Sequence, residues 1–153
     1  MRLLAIITIL TTVALASSGS DSDWKRHPSV EEEFDSSKCV LVGRVVTSRQ
    51  ILDSDHFIQG TFYTVRVEEL LKGGHEKQVE IYDENSSGRF PMRVGGRYIL
   101  FAYAGAFEGV KGERLAINSS GNSETMKEST KTLARVREIT QAKAQQGAPA
   151  NRR

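Results

Sequence analysis

Cys39-Val40-Leu41-Val42-Gly43-Arg44-Val45-Val46-Thr47 decides the fold class of this chain. The stretch is β-branched and apolar at both odd and even positions, so a strand built from it is covered on both faces, at least in part. Gly43 interrupts the run and predicts a bulge or a sharp bend. Residues 49–60 contain Asp53, Ser54, Asp55 and Gly60 and read as a loop. Thr61 to Leu71 resumes a strand. There Phe62, Thr64, Arg66 and Glu68 alternate with Tyr63, Val65, Val67 and Glu69, and the second, mostly apolar set should face the core.

Lys72-Gly73-Gly74-His75 is a turn, after which Val79, Ile81 and Asp83 mark a third strand. Asp83 to Gly88 reads as polar loop. Arg97-Tyr98-Ile99-Leu100-Phe101-Ala102-Tyr103 is a fourth strand, and Arg114-Leu115-Ala116-Ile117 a short fifth. Five short strands with glycine-marked bends predict a mainly β fold: a five-stranded, OB-like Greek-key barrel with a short N-terminal helix and a longer C-terminal helix. A β-sandwich is the competing architecture, for which five strands are few.

The helices are read from their caps. Ser29 and Glu32 are spaced as a capping box before a short helix ending by Ser37, with Val30 and Phe34 on one face. The Glu31-Glu32-Glu33 run suits the positive end of that helix. From Ser123, read as a cap, residues 123–146 turn helical. Met126, Leu133, Val136 and Ile139/Thr140 form one apolar stripe, opposite Lys127, Lys131, Arg135 and Glu138. The stripe should dock on the barrel; the rival is a free basic arm. Residues 147–153 read as a disordered tail.

Residues 1–16 pair a positive start, Met1-Arg2, with an apolar run and an Ala14-Leu15-Ala16 cleavage pattern. That is the build of a secretory signal peptide. It leaves 137 of the 153 residues as an exported chain, secreted or periplasmic, with no transmembrane segment. Residues 17–28 then read as a flexible mature N-terminus carrying a single Trp24, and 29–122 as the barrel. Cys39 is the only cysteine, so no internal disulfide staples the fold. The mature charge is close to neutral, with a mildly acidic body and a basic end. Nothing in it points to nucleic acid.

Three segments together resemble bacterial domains similar to tissue inhibitors of metalloproteinases. Val40 to Val46 resembles their "VFVGRVV" strand. Tyr63-Thr64-Val65-Arg66-Val67-Glu68-Glu69-Leu70-Leu71-Lys72-Gly73 resembles "TVRVEEVLKG". Phe90 to Tyr103 resembles their "F-x-V-G-x-R-Y-L-V-F-A-Y" segment. The resemblance covers roughly Ser29 to Ser119 and implies the OB-like barrel of the netrin and inhibitor group. Relatives carry C-x-C before the first helix, where this chain has Trp24-Lys25-Arg26-His27. They often carry a cysteine before the F-x-V-G segment, where this chain has Asn85-Ser86-Ser87-Gly88-Arg89. They usually carry a later one after strand five, where it has Ile117-Asn118-Ser119-Ser120. The zinc-chelating N-terminal cysteine of the animal inhibitors is therefore not carried over, and a shared fold does not bring the function with it.

The candidate chemistry is sparse. Cys39 is either a reactive thiol that could link two monomers or a small buried hydrophobe. His27, His56 and His75 lack ligand spacing, and Asp53-x-Asp55 is too short for a calcium loop. No metal or cofactor is expected. Asn85 and Asn118 fit the N-glycosylation sequon, which reads as chance in serine-rich loops of a bacterial-type domain. Arg44, Arg66, Arg93 and Arg97 either line a binding face for an anion or oligosaccharide or pair with Glu68, Glu69 and Glu80 across strands. Together with Trp24 they are the candidate binding surface. The expected function is a non-enzymatic, monomeric binding module for a protein, such as a secreted or envelope protease. The alternative is a metalloendopeptidase inhibitor acting without the usual cysteine.

Overall fold

The computed structural model describes residues 27–74 and 76–147. The signal-peptide reading of residues 1–16, Trp24, His75 and the tail beyond 147 lie outside the described residues. Two helices, α1 (Val30–Ser36) and α2 (Thr130–Gly147), flank six strands: β1 (Cys39–Leu52), β2 (Ile58–Lys72), β3 (Gln78–Glu84), β4 (Arg97–Ala106), β5 (Glu113–Ile117) and β6 (Glu124–Thr125). The sheet runs β1-β2-β3-β5-β4-β6, and a further β1–β4 pairing closes five of the strands into a ring. All pairings are antiparallel except β3 with β5, which is parallel. The chain is thus mainly β, with a closed sheet.

β1 explains the closure. It pairs with β2 along one edge and, from Cys39 to Arg44, with β4 along the other. Its alternate side chains enter two cores. Leu41 and Val45 join Tyr63, Val65, Ile81, Leu100 and Ala102 inside the ring. Val40 and Val42 point outward and join Ile99, Phe101 and Leu71 beneath α1 and α2. This is why both parities of the stretch are apolar.

Gly43 sits at a bulge. Val42 opposes Glu69 while Gly43 opposes Val67, so Glu68 is the extra residue on β2. A Cβ at Gly43 would lie 2.4 Å from the Val65 side chain and 3.0 Å from the Arg66 carbonyl. Only glycine lets the strands approach this closely.

Three expectations are corrected. The loop read over 49–60 is a strand extension: β1 and β2 pair out to Leu52 and Ile58, leaving a tip at 53–57. Asp53 builds that tip, its Oδ1 accepting from the Asp55 and Phe57 amides at 2.9 Å each. The polar loop read from Asp83 begins later, because Asp83 and Glu84 end β3, paired with Thr61 and Gly60 of β2. Helix α2 begins at Thr130 rather than 123, because Ser123 serves the sheet. Its buried hydroxyl accepts the Phe101 amide at 2.9 Å, and Glu124–Thr125 pair with β4 as a sixth strand.

Helix α1 carries the capping box read from sequence: Glu32 N–H donates to Ser29 Oγ, and Ser29 N–H to Glu32 Oε2. Its last carbonyls, on Phe34 and Asp35, accept from Lys72 Nζ at 2.6 and 2.8 Å. Helix α2 packs through Leu133, Val136 and Ile139, with Met126 alongside. On its exposed side, Arg137 grips Glu69 at 2.6 Å and Arg135 pairs with Glu31 of α1. Among the described residues no helix is long and apolar enough to cross a membrane.

Candidate functional site

The arginines singled out in the sequence are only partly brought together. Arg44 lies opposite Arg66 on β2 and Arg97 on β4, so the three share one line across the sheet. The bulge turns Glu68 toward them. Its carboxylate accepts from Arg97 at 2.7 Å and from Arg44 at 3.2 Å, and these bonds hold its pKa below the usual carboxylate range. Arg44 also donates to the Gly95 carbonyl at 2.9 Å. Two of the four arginines are therefore spent on structure. Arg66 and Arg93 are exposed, Arg93 on the connection before β4.

The other pairings fall elsewhere. Glu69 is taken by Arg137, and Glu80 lies 4.0 Å from Arg49. Arg49 and Arg114 instead flank Phe62, with guanidinium carbons 5.1 and 5.5 Å from its ring centre. Sequence reasoning missed both, because their partner ring is set by strand register.

Cys39 is buried against the inner core. Burial, with a smaller contribution from Glu76, raises its thiol pKa, which opposes the thiolate form that nucleophilic or redox chemistry needs. A cavity of about 670 Å³ opens between the start of β1, the β2–β3 turn and β5, with Cys39 in its wall.

The larger concavity was not visible in the sequence. β3 and β5 pair over only two residue pairs, Ile81 with Leu115 and Tyr82 with Ala116. Tyr82, Ala116 and Tyr103 lie side by side on the outer face of β3, β5 and β4, and residues of α1 face them. The result is an open groove of about 990 Å³. Its apolar wall is Tyr82, Phe101, Tyr103, Phe107 and Ala116, and its polar edge includes Glu32, Glu33, Asp83 and Glu84.

The wall is built by stacking. Tyr82 meets Phe107 edge-on at 4.9 Å and Phe62 at 5.0 Å. Gly60 makes room for the Tyr82 ring, since a Cβ there would sit 2.5 Å from its hydroxyl. Tyr103 is the exposed ring, at 40%.

The edge is tied down on the α1 side. The buried Glu33 carboxylate accepts from the Asn122 amide and, at 2.7 Å, from Asn122 Nδ2, while the same Nδ2 donates to the Pro28 carbonyl. These bonds pin α1 to the segment after β5. On the β3 side, Asp83 Oδ1 accepts from the Phe90 amide at 2.7 Å. Burial outweighs that bond and raises the Asp83 pKa. Burial, then Glu84 and Asp83, likewise raise the pKa of Tyr82 and of Tyr103. Among the described residues no group of three or more metal-ligating side chains is assembled.

No protein-family model matches the chain, and no curated protein matches it in sequence.

Proposed function

We propose that this protein is an exported, non-enzymatic binding module on an OB-like barrel of the netrin and metalloproteinase-inhibitor type, and that it binds a protein partner in the groove between α1 and the β3–β5 seam. The observation that carries this reading is the groove itself: open, with the Tyr103 ring exposed and Phe107 half-buried in its wall, and framed by side chains already fixed by hydrogen bonds. Such a wall supplies contact area at little entropic cost, which suits recognition of another chain.

The ring order β1-β2-β3-β5-β4-β1, with β3 and β5 parallel, supports the OB-like description. The resemblance gains support from a juxtaposition. Pro28, just after the stretch where relatives carry C-x-C, lines the same groove as Ser86 and Gly88, from the stretch where they often carry another cysteine. The export reading rests on residues 1–16, and the metalloendopeptidase-inhibitor reading on the resemblance alone.

A photo-crosslinker at Tyr103, compared with one at Arg66 on the arginine face, tests the site in the native envelope. The expected result is one discrete adduct from position 103, suppressed by excess unlabelled protein, and none from 66. Adducts from 66 alone would move the binding surface to the arginine face.

A further inference from the structure

We propose that the hairpin arm of β1 and β2 binds by strand addition: an extended segment of another protein pairs with the open edge of β1 along residues 47–52, with an acidic side chain opposite Arg49 and an apolar one beside Leu52. The arm is a second surface, and the proposal does not depend on the groove.

The edge is free because β1 outruns its neighbour. On one side β1 pairs with β2 from Val40 to Leu52. On the other it pairs with β4 only from Cys39 to Arg44, and Val45 adds a last pair of backbone bonds with Gly95 and Gly96 at 2.8 and 3.0 Å. Beyond Val45, among the described residues, no strand or loop bonds to that edge. In an antiparallel ladder alternate residues turn their N–H and C=O groups away from the partner strand. Residues 47–52 therefore present backbone donors and acceptors along a strand that β2 already holds extended, and most of their side chains are exposed. An added strand needs this and little else.

The side chains select the occupant. Arg49 is the only charged residue between Val45 and Leu52. Its guanidinium and that of Arg114 both lie against the Phe62 ring, at 5.1 and 5.5 Å. Glu80 comes to 4.0 Å from Arg49, too far for a hydrogen bond, and among the described residues Arg114 forms no ion pair. Two cations against one carboxylate leave this face positive, so an acidic side chain is the favoured cross-strand neighbour of Arg49. A charge on an edge strand deters indiscriminate pairing, and here it leaves an acid as the complement. Two copies paired along this edge would bring their Arg49 side chains together on one face, which opposes a second copy as the occupant. Leu52 lies on the opposite face, three residues on. It is 51% exposed, and Ile58, its partner across the hairpin, is 42% exposed. An apolar residue three positions from the acid would cover that pair.

The test titrates the isotope-labelled full chain with the peptide LTTETTL, blocked at both ends, whose glutamate lies three residues from a leucine in either direction. Saturable NMR shifts should concentrate on the amides of 46–52, and exchange of the outward-facing amides there should slow by at least about tenfold. LTTKTTL should bind several-fold more weakly. LTTETTL with every internal amide N-methylated should not bind, because it cannot pair as a strand. Arg49→Gln should make the glutamate and lysine peptides bind alike, and Arg49→Glu should reverse their order. Leu52→Ser should weaken both about equally. Lys131→Glu, a charge reversal at an exposed position on α2, should leave the preference unchanged to within about twofold.

Shifts centred away from the arm, undiminished binding of the methylated peptide, or tighter binding of the lysine peptide to the parent chain would each overturn the proposal. So would a chain that dimerises on its own with slowed exchange at 47–52, which would give the edge to a second copy. The Tyr103 crosslinker reports on the groove alone, so the two surfaces stand or fail separately.

Discussion

Replacing Val136 by aspartate asks whether α2 is part of the fold or an arm reserved for something else. Val136 is fully buried against the outward-facing side chains of β1 and β4, among them Val40, Val42, Ile99 and Phe101. Removing an aliphatic side chain of this size from a closed site forfeits about 1.5–2 kcal/mol of burial. Burying a carboxylate there, with no cation in that cluster, adds at least about 1–3 kcal/mol more. A loss of about 3–5 kcal/mol is a large fraction of the ~5–15 kcal/mol typical of a domain. In a chain of this length it corresponds to a fall of roughly 10–20 °C in Tm. Leu133→Ala, a milder change in the same cluster, should cost about 2–4 kcal/mol. Both are read by denaturant unfolding with the slope m held constant, and native-state hydrogen exchange supplies the second readout. Amides of 133–140 should be protected to within about 1–2 kcal/mol of the central strands, because the helix and the β1–β4 face share one core. If both variants unfold at the parent midpoint, or if those amides exchange like an unstructured peptide, the docking argument is wrong and α2 becomes the candidate binding element.

Gly43→Ala should cost about 1–3 kcal/mol, since the new methyl meets the Val65 side chain and the Arg66 backbone together; an unchanged melting curve would show that the bulge can relax. Arg97→Ala should move the Glu68 pKa back up toward 4.5 in an NMR titration. Because the folded-state value is depressed, the stabilisation from this cluster is present above pH about 4.5 and lost as pH falls through the folded pKa, and the variant should lose that acid dependence. Asp83→Asn should match or exceed the parent in stability at pH 7. The amide side chain would keep an acceptor for the Phe90 N–H while removing a carboxylate whose pKa is raised. A raised acid gains stability as pH falls through its folded pKa, so the difference should shrink toward pH 4; a pH-independent loss would refute the burial argument.

What is legible in the sequence is what is local. The capping box needs only Ser29 and Glu32 at the right spacing, and it stands in the fold. The double burial of β1 follows from apolar residues at both parities, and Gly43 marks its bulge because no other residue fits there. Ser123 shows the limit. A serine ahead of an apolar-periodic stretch signals a helix cap, but a tertiary partner, the Phe101 amide on β4, takes its hydroxyl. The hairpin of β1 and β2 outruns its sequence signal because Arg49 and Gln50 are polar, and strand patterns are read from apolar residues. Cross-strand pairing continues there regardless, with Arg49 set over Phe62. The arginine cluster is legible as a set of residues, but which glutamate each meets depends on the Glu68 bulge, a property of two strands together. The groove depends on the register that sets Tyr82, Ala116 and Tyr103 side by side and on where α1 comes to rest, and no local pattern encodes either.

The outer surface of the ring divides by what covers each part. Over Val40, Val42, Ile99 and Phe101 the exposed apolar area is closed by α1 and α2, and the polar contacts around it, Lys72 on the α1 carbonyls and Arg137 on Glu69, finish the seal. One step along β1, Arg44 and Arg97 close on Glu68, so that patch satisfies its own charge and offers a newcomer mainly competition for bonds already made. Around Tyr82, Tyr103 and Phe107 neither closure occurs. The Tyr103 ring stays open to solvent, with Phe107 half-buried beside it. A protein selected for stability alone would cover such a ring, as this one covers the apolar face beneath its two helices. The unfilled demand for apolar contact at one place is the reason to look for the partner there.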